Sequence, residues 1–391
     1  MRSDMQAIPC SIIRGGTSKG VYILENDLPK DPVLRDSVIQ SIFGGVDPRQ
    51  IDGLGGADTL TSKFAIIGPS SRADCDVDYT FGQVSFEKPI VDYKGNCGNI
   101  SAGVGPFAID RGLVRAVEGI TTVRIHLTNT DNVIVAEVPV HNGKACADGD
   151  FSIDGVPGTG SRITLDFSDT QGALTGSLLP TGKAKEIFDF GAEGSYEVSL
   201  VDAGNPLVFI TAAELGLKGT ETPAEIDGNE PLNRRIEMIR ARAAVRFGLI
   251  EREEDAYDAS PYIPFFAIVS PAADYDCYNG RHVKQSEVDI VARLLFMHHM
   301  HKTYPGTGTV CTGSAARIPG SVVWDLLSEE ARAATVLRIG HPAGVIPVEA
   351  LAKEENGTIR ITRAAFYRTA RTIMEGNVWV KNRVFRAADS L

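Results

Sequence analysis

Short apolar runs broken by glycine and proline dominate the hydrophobic pattern along the chain. IPCSII, GVYIL, KFAIIG, DVDYTFGQVSF, TTVRIHLTNT, NVIVAEVPV, RITLDF, YEVSLVDA, PLVFITA, IPFFAIVS, GVIPVEALA, TIRITRAAFYR and NVWVKNRVF each read as a strand, several of them with the period-two alternation of a half-buried sheet. Three segments read as helices: 31–44, 231–248 and 286–302, the last with Ser286 as its expected N-cap. Strands and helices do not alternate as βαβ units, so the pattern predicts an α+β fold with mixed or antiparallel sheets.

Two stretches echo each other. GNCGNISAGVGPFAIDRG around Cys97 and GTGTVCTGSAARIPG (306–320) each place one cysteine in a turn of small residues ahead of a run of Ala, Gly and Ser. The echo suggests two similar domains, each with a tightly packed central helix. The join is expected near 170–190, which divides the chain into 1–184 and 185–391, with the C-terminal strand free to return to the first.

At 391 residues and 43% hydrophobic, the chain is long enough for two cores. No apolar run approaches the about eighteen residues of a membrane span. Arg and Gly interrupt the opening MRSDMQAIPCSIIRGG before a signal-length apolar core can build, so a soluble cytoplasmic protein is expected. Six cysteines without CxxC spacing read as reduced thiols. A net charge of −11 argues against nucleic acid as a partner. The basic residues instead gather in Gly-rich turns: Arg14 and Lys19 in RGGTSKG, Lys63 after GLGGADTLTS, and Arg317, Arg338, His341, Arg368 and Arg371 further on. That arrangement suits a small anion, carboxylates above all.

Cys97 follows Gly95 and Asn96, which tolerate left-handed backbone. A helix beginning near Asn99 would put the thiol at its positive end, where a thiolate is stabilised and where backbone N–H groups can hold a carboxylate. The bland alternative is a small buried cysteine. Lys63 immediately precedes the apolar Phe64-Ala65-Ile66-Ile67; burial there would lower its proton affinity and make it a usable base, against the alternative of a solvated strand-end lysine. RGGTSKG lacks the spacing of a P-loop or a dinucleotide fingerprint, so no nucleotide is inferred. His298, His299 and His301 have no carboxylate at ligand spacing, and no metal is expected. The Asn99-Ile100-Ser101 sequon carries no meaning without secretion.

RGGTSKG, RQIDGLGGADTLTSK, DVDYTFGQVS, GNCGNISAGVGPFAI, GTGTVCTGSAARIPG, RIGHPAGVIPVE and RTARTIMEG together resemble the PrpF/methylitaconate Δ-isomerase group, across residues 10 to about 380. The resemblance implies a diaminopimelate-epimerase-like fold: two similar β-barrel-like domains, each around a central helix, with the active site in the cleft between them. It implies an isomerase without a cofactor that shifts a proton across the allylic C=C of a small unsaturated di- or tricarboxylate. Methylitaconate to dimethylmaleate is the first candidate, and 2-methylaconitate cis-trans isomerisation or 4-oxalomesaconate tautomerisation the alternatives. The family's reactive cysteine and lysine carry over to Cys97 and Lys63. Arg14, Gly16, Thr17, Ser18, Lys19, Ser62, Gly98, Asn99, Gly313, Ser314 and His341 are expected to hold the substrate. The second cysteine of the epimerases would fall at Cys311, where Thr312 follows in place of Gly, which leaves it a substrate-binding role. Two readings of other classes stand beside this one: a two-cysteine amino-acid epimerase using Cys97 and Cys311, and an accessory protein without turnover. A homo-oligomer is compatible with all of them.

Overall fold

The computed structural model describes residues 4–355 and 357–386. They divide into two compact units, one drawn from Met1–Ser152, Gly158–Leu165 and Arg368–Leu391, the other from Ile153–Pro157 and Asp166–Tyr367. Residues 166–184, assigned to the first half on the sequence, thus group with the second unit.

In the first unit, β1 (Met5–Gly15) and β2 (Ser18–Leu24) form an antiparallel hairpin. Helix α1 (Pro32–Phe43) follows, capped by Asp31 accepting from the Leu34 N–H at 2.8 Å and stopped at Gly44 with φ 95°. β3 (Lys63–Pro69) pairs parallel with β2, and β4 (Val77–Val84) antiparallel with β3. Helix α2 (Gly98–Asp110) leads to β5 (Gly119–Leu127), parallel to β4, and β6 (Asn132–His141) closes antiparallel on β5. Every residue of α2 from Gly98 to Ile109 is buried. Its small residues make that depth possible: a methyl group at Gly105 would stand 2.6 Å from Val138, and one at Gly103 would overlap the Tyr22 hydroxyl. A helix that is apolar and small all round belongs inside a sheet.

The second unit repeats the plan. β7 (Ser195–Ala203) and β8 (Asn205–Thr211) are antiparallel, and α3 (Glu230–Arg246) links β8 to the parallel β9 (Phe265–Pro271). β10 (Ile290–Phe296) is antiparallel to β9. Helix α4 (Gly306–Ala315), buried throughout, leads to β11 (Val336–His341), parallel to β10, and then to the antiparallel β12 (Gly344–Glu355). The order antiparallel, parallel, antiparallel, parallel, antiparallel, with helices at the same two connections, is that of β1 to β6. β13 (Thr358–Arg368) pairs with β12, and β14 (Ala370–Lys381) returns to pair antiparallel with β1.

The helices expected at 31–44 and 231–248 are α1 and α3. The one expected at 286–302 is not a helix. Ser286 lies in a single 3₁₀ turn, Ile290–Phe296 is strand β10, and Met297 and His298 adopt φ of 50° and 64°, which no helix accommodates. All seven residues of β10 are buried, between β9 and β11, so both faces carry apolar side chains and the period-two signal vanishes. Even Arg293 is enclosed there, donating from Nε to the Glu221 carbonyl at 2.7 Å and lying over the Tyr275 ring.

Candidate active site

The first unit gathers its polar buried groups around the start of α2. Cys97 is the N-cap residue, in extended conformation (φ −124°, ψ 100°), and its thiol makes no capping bond. Its carbonyl accepts from the Ser101 N–H (2.9 Å) and hydroxyl (2.8 Å), so the first turn is held without the sulfur. The thiol therefore stands at a helix start whose first N–H groups, those of Gly98 and Asn99 among them, have no intrahelical acceptor.

The RGGTSK hairpin turn lies against this helix start. Asn99, 1% exposed, is the joint: its Nδ2 donates to Thr17 Oγ1 (3.1 Å), and its Oδ1 accepts from the Thr17 N–H (3.4 Å) and from Arg368 Nε (2.8 Å). Arg14 is used to brace the turn itself, donating from Nη1 to the carbonyls of Gly16 (2.9 Å) and Thr369 (2.8 Å). The Gly16 N–H also bonds the Thr369 carbonyl, and the Lys19 N–H the Leu60 carbonyl. The Ser18 hydroxyl is buried without a hydrogen-bond partner, an acceptor and donor available to a ligand. Gly16 has φ +52°, and a methyl group on it would overlap the Asn99 side chain. Gly16→Ala should cost about 1–2 kcal/mol of stability in urea unfolding from the left-handed backbone, and should lower turnover further by displacing Asn99.

Lys63 opens β3 directly opposite Gln83 of β4. Its side chain is 2% exposed, with Nζ 2.6 Å from Gln83 Oε1 and 5.4 Å from the centre of the Phe81 ring. Burial lowers its proton affinity, and the negative charges of Cys97 and Asp58 pull it partly back. Burial likewise lowers Arg368, again opposed by Cys97. Tyr22 is pushed well up by burial and then by the Cys97 charge, while its hydroxyl donates to the Ile100 carbonyl at 2.5 Å. Lys63, Arg368 and Tyr22 thus each feel the charge of Cys97. Ser62 is spent structurally, its hydroxyl donating to Gln50 Oε1 at 2.7 Å. Arg368 was visible on the sequence as one of several turn arginines; Gln83 and Tyr22 carried no signal, since a polar residue in an alternating strand normally faces water.

The second-unit candidates fall elsewhere than expected. Helix α4 begins after Pro305, so Pro305-Gly306-Thr307 occupies the place that Cys97-Gly98-Asn99 holds in the first unit. Cys311 sits well inside the helix, fully enclosed, with Sγ donating to the Val201 carbonyl at 3.4 Å. Burial and the nearby Asp202 charge push that thiol well above its ordinary value. The correspondence of Cys311 with an epimerase's second cysteine is corrected accordingly: the echo aligned the thiols, whereas the structure aligns the helix starts. Gly313 packs 3.0 Å from Val348 at the position of a Cβ, and the Ser314 hydroxyl is enclosed in the same helix, so neither forms a turn that could clamp a carboxylate. His341 is buried at the end of β11, its Nδ1 accepting from the Ala343 N–H at 3.2 Å. Arg317 donates to four backbone carbonyls, those of Ala350, Ala331, Arg332 and Ala334, and Arg338 pairs with Asp289 at 2.6 Å. Of the histidine cluster, His298 stacks on Tyr257 at 3.8 Å. Among the described residues no group of three or more His, Cys, Asp or Glu is placed to hold a metal ion, and no helix is long and apolar enough to cross a membrane.

Residues 5–381 match the family model described as PrpF protein. The chain belongs to the PrpF family. It is 53% identical over 380 residues to a 3-methylitaconate isomerase of Eubacterium barkeri, covering 97% of this chain and 98% of that protein. A 2-methyl-aconitate isomerase of Shewanella oneidensis is 38% identical over 387 residues, with 95% and 96% covered. Among solved structures, a methylitaconate-delta-isomerase superposes with a TM-score of 0.80 at 52% identity, covering 98% of both chains. A hydroxyproline epimerase from Agrobacterium vitis gives 0.56 at 12% identity, covering 96% and 93%, a likeness of fold alone. The epimerase-like fold expected from the motifs is therefore the fold of this family member.

Proposed function

We propose that this chain is an isomerase that moves a proton across the allylic C=C of a small unsaturated dicarboxylate, with methylitaconate and dimethylmaleate as its substrate pair. The observation that carries the reading is the Cys97–Lys63 pair: a thiol at a buried helix start and, at a buried strand end, an amine that feels the charge of that thiol. The 53% identity to a 3-methylitaconate isomerase supports the choice of substrate.

One member of the pair takes the proton from the carbon bearing the methyl and carboxylate groups. The electron pair left behind forms the new C=C, and the electrons of the exocyclic methylene take up a proton from the other member. Negative charge spreads over the allylic unit and the adjoining carboxylate between these events. The N–H groups of Gly98 and Asn99, the Ser18 hydroxyl and the Arg368 guanidinium are the groups suited to stabilise it. Water is kept from Lys63 and Cys97 by their burial, which strengthens each of these interactions.

The two-cysteine epimerase reading loses its second acid/base group, because Cys311 is enclosed in the middle of α4 and Pro305 stands at the helix start. Proton NMR in D₂O tests the proposal with methylitaconate, 2-methylaconitate and 4-oxalomesaconate in parallel. Dimethylmaleate carrying deuterium in a new methyl group is the expected result. Turnover of one of the other acids in its place would move the substrate assignment, and neither conversion nor exchange with any of them would leave only a binding protein.

A further inference from the structure

Gln83 is 1% exposed, and every part of its amide is committed. Nε2 donates to the carbonyls of Ser62 (3.1 Å) and Thr59 (3.3 Å), while Oε1 accepts from Lys63 Nζ at 2.6 Å. A flipped amide would set Oε1 against two carbonyl oxygens and the NH₂ against an amine, so this orientation is the one the surroundings allow. The carbonyls that lock it belong to a loop that is itself fixed. The Val84 N–H bonds the Ser62 carbonyl at 2.9 Å, and Gln50 Oε1 accepts from both the Ser62 hydroxyl and the Ala57 N–H (2.8 Å). A rigid loop thus aims one neutral acceptor at one amine.

Neutrality is the informative property. A carboxylate at this position would hold Lys63 permanently charged, and an apolar side chain would take the amide acceptor away from the amine. An amide oxygen accepts an N–H from the ammonium and from the neutral amine alike, so the group can change protonation without changing direction. We propose that Gln83 is a positioning residue for the proton transfer, its amide oxygen holding one N–H of Lys63 in both protonation states and so fixing the direction in which the amine meets the substrate. The inference rests on Lys63 being an acid/base group of the reaction.

The test compares Gln83→Met, close in shape and without an acceptor, with the isosteric Gln83→Glu and with Lys63→Met. Two readouts are taken: the pH profiles of kcat and KM, and the titration of the Lys63 Cε resonance in protein carrying ¹³C-lysine, assigned by its absence in Lys63→Met. Gln83→Met should lower kcat by about 100-fold with KM little changed, as loss of orientation does, and should move the Lys63 midpoint down, because the ammonium loses a charge-assisted bond. Gln83→Glu should move the midpoint up by about one unit or more and carry the lysine-dependent limb of the kcat profile with it. Native kcat and a native Lys63 titration in both Gln83 variants, with Lys63→Met inactive, would overturn this inference and leave the catalytic reading standing. Native turnover in Lys63→Met would overturn both.

Discussion

Cys97→Ser and Lys63→Ala should each lower kcat by about 10²–10⁴-fold, the range that one general acid or base supplies. The double variant should fall scarcely below the worse single one, because removing either member stops the same transfer. Serine keeps the N-cap position, and the Ser101 bonds to the Cys97 carbonyl do not involve the sulfur, so the fold of α2 should survive the first substitution. The lysine adds a readout that activity does not depend on. Its proton affinity is lower folded than unfolded, because burial penalises the ammonium. Below its folded value the penalty is present in full. As pH rises from there toward the ordinary lysine value the unfolded chain holds the extra proton, so stability increases with pH across that window. Urea unfolding of the parent and of Lys63→Met should therefore diverge at neutral pH and approach each other as pH climbs. A pH-independent difference would mean that folded and unfolded chains hold the Lys63 proton equally tightly and that burial does not lower its proton affinity, and near-native turnover in both single variants would remove the pair from the mechanism.

What could be read along the chain was what local chemistry dictates. A Gly/Asn turn before a run of small residues can scarcely be anything but a buried helix start, and α2 is that. A lysine abutting Phe64-Ala65-Ile66-Ile67 is carried into the core by its neighbours, as Lys63 is. What depends on register could not be read. Gln83 in TFGQVSF has the pattern of a solvent-facing strand residue, and only its pairing across from Lys63 buries it. IVARLLF resembles a helix stripe because a strand covered on both faces has no period-two signature, and a buried arginine in it suggests the opposite of a central strand. The second-unit echo rests on a shared cysteine, Cys97 and Cys311, whereas backbone geometry aligns Cys97-Gly98-Asn99 with Pro305-Gly306-Thr307. Nothing local marks which unit residues 166–184 group with.

Arg368→Met should reduce kcat/KM by about 10²–10³-fold, the cost of removing one preorganised donor aimed at developing negative charge, and should slow alkylation of Cys97 by iodoacetamide at neutral pH. The guanidinium is 3% exposed, bonded through Nε to Asn99 Oδ1 at 2.8 Å, and its proton affinity is lowered by burial and restored in part by Cys97. A cation held at such a cost to folding is stabilised most by an anion beside it, and the groups able to supply one are the Cys97 thiolate and a substrate carboxylate. The same buried charge separates the functional role from a structural one. Its penalty lies in full on the folded state at neutral pH, below the folded value of about 9, and lifts only as pH rises from there toward the ordinary arginine value. Methionine removes that penalty, so thermal stability should hold or rise while activity falls, the signature of a residue kept for function. Arg368→Lys restores a positive charge without the planar fork that reaches Asn99, and should recover Cys97 reactivity more fully than turnover. Loss of stability together with native alkylation kinetics in Arg368→Met would make the arginine a structural tie to Asn99 at the start of α2.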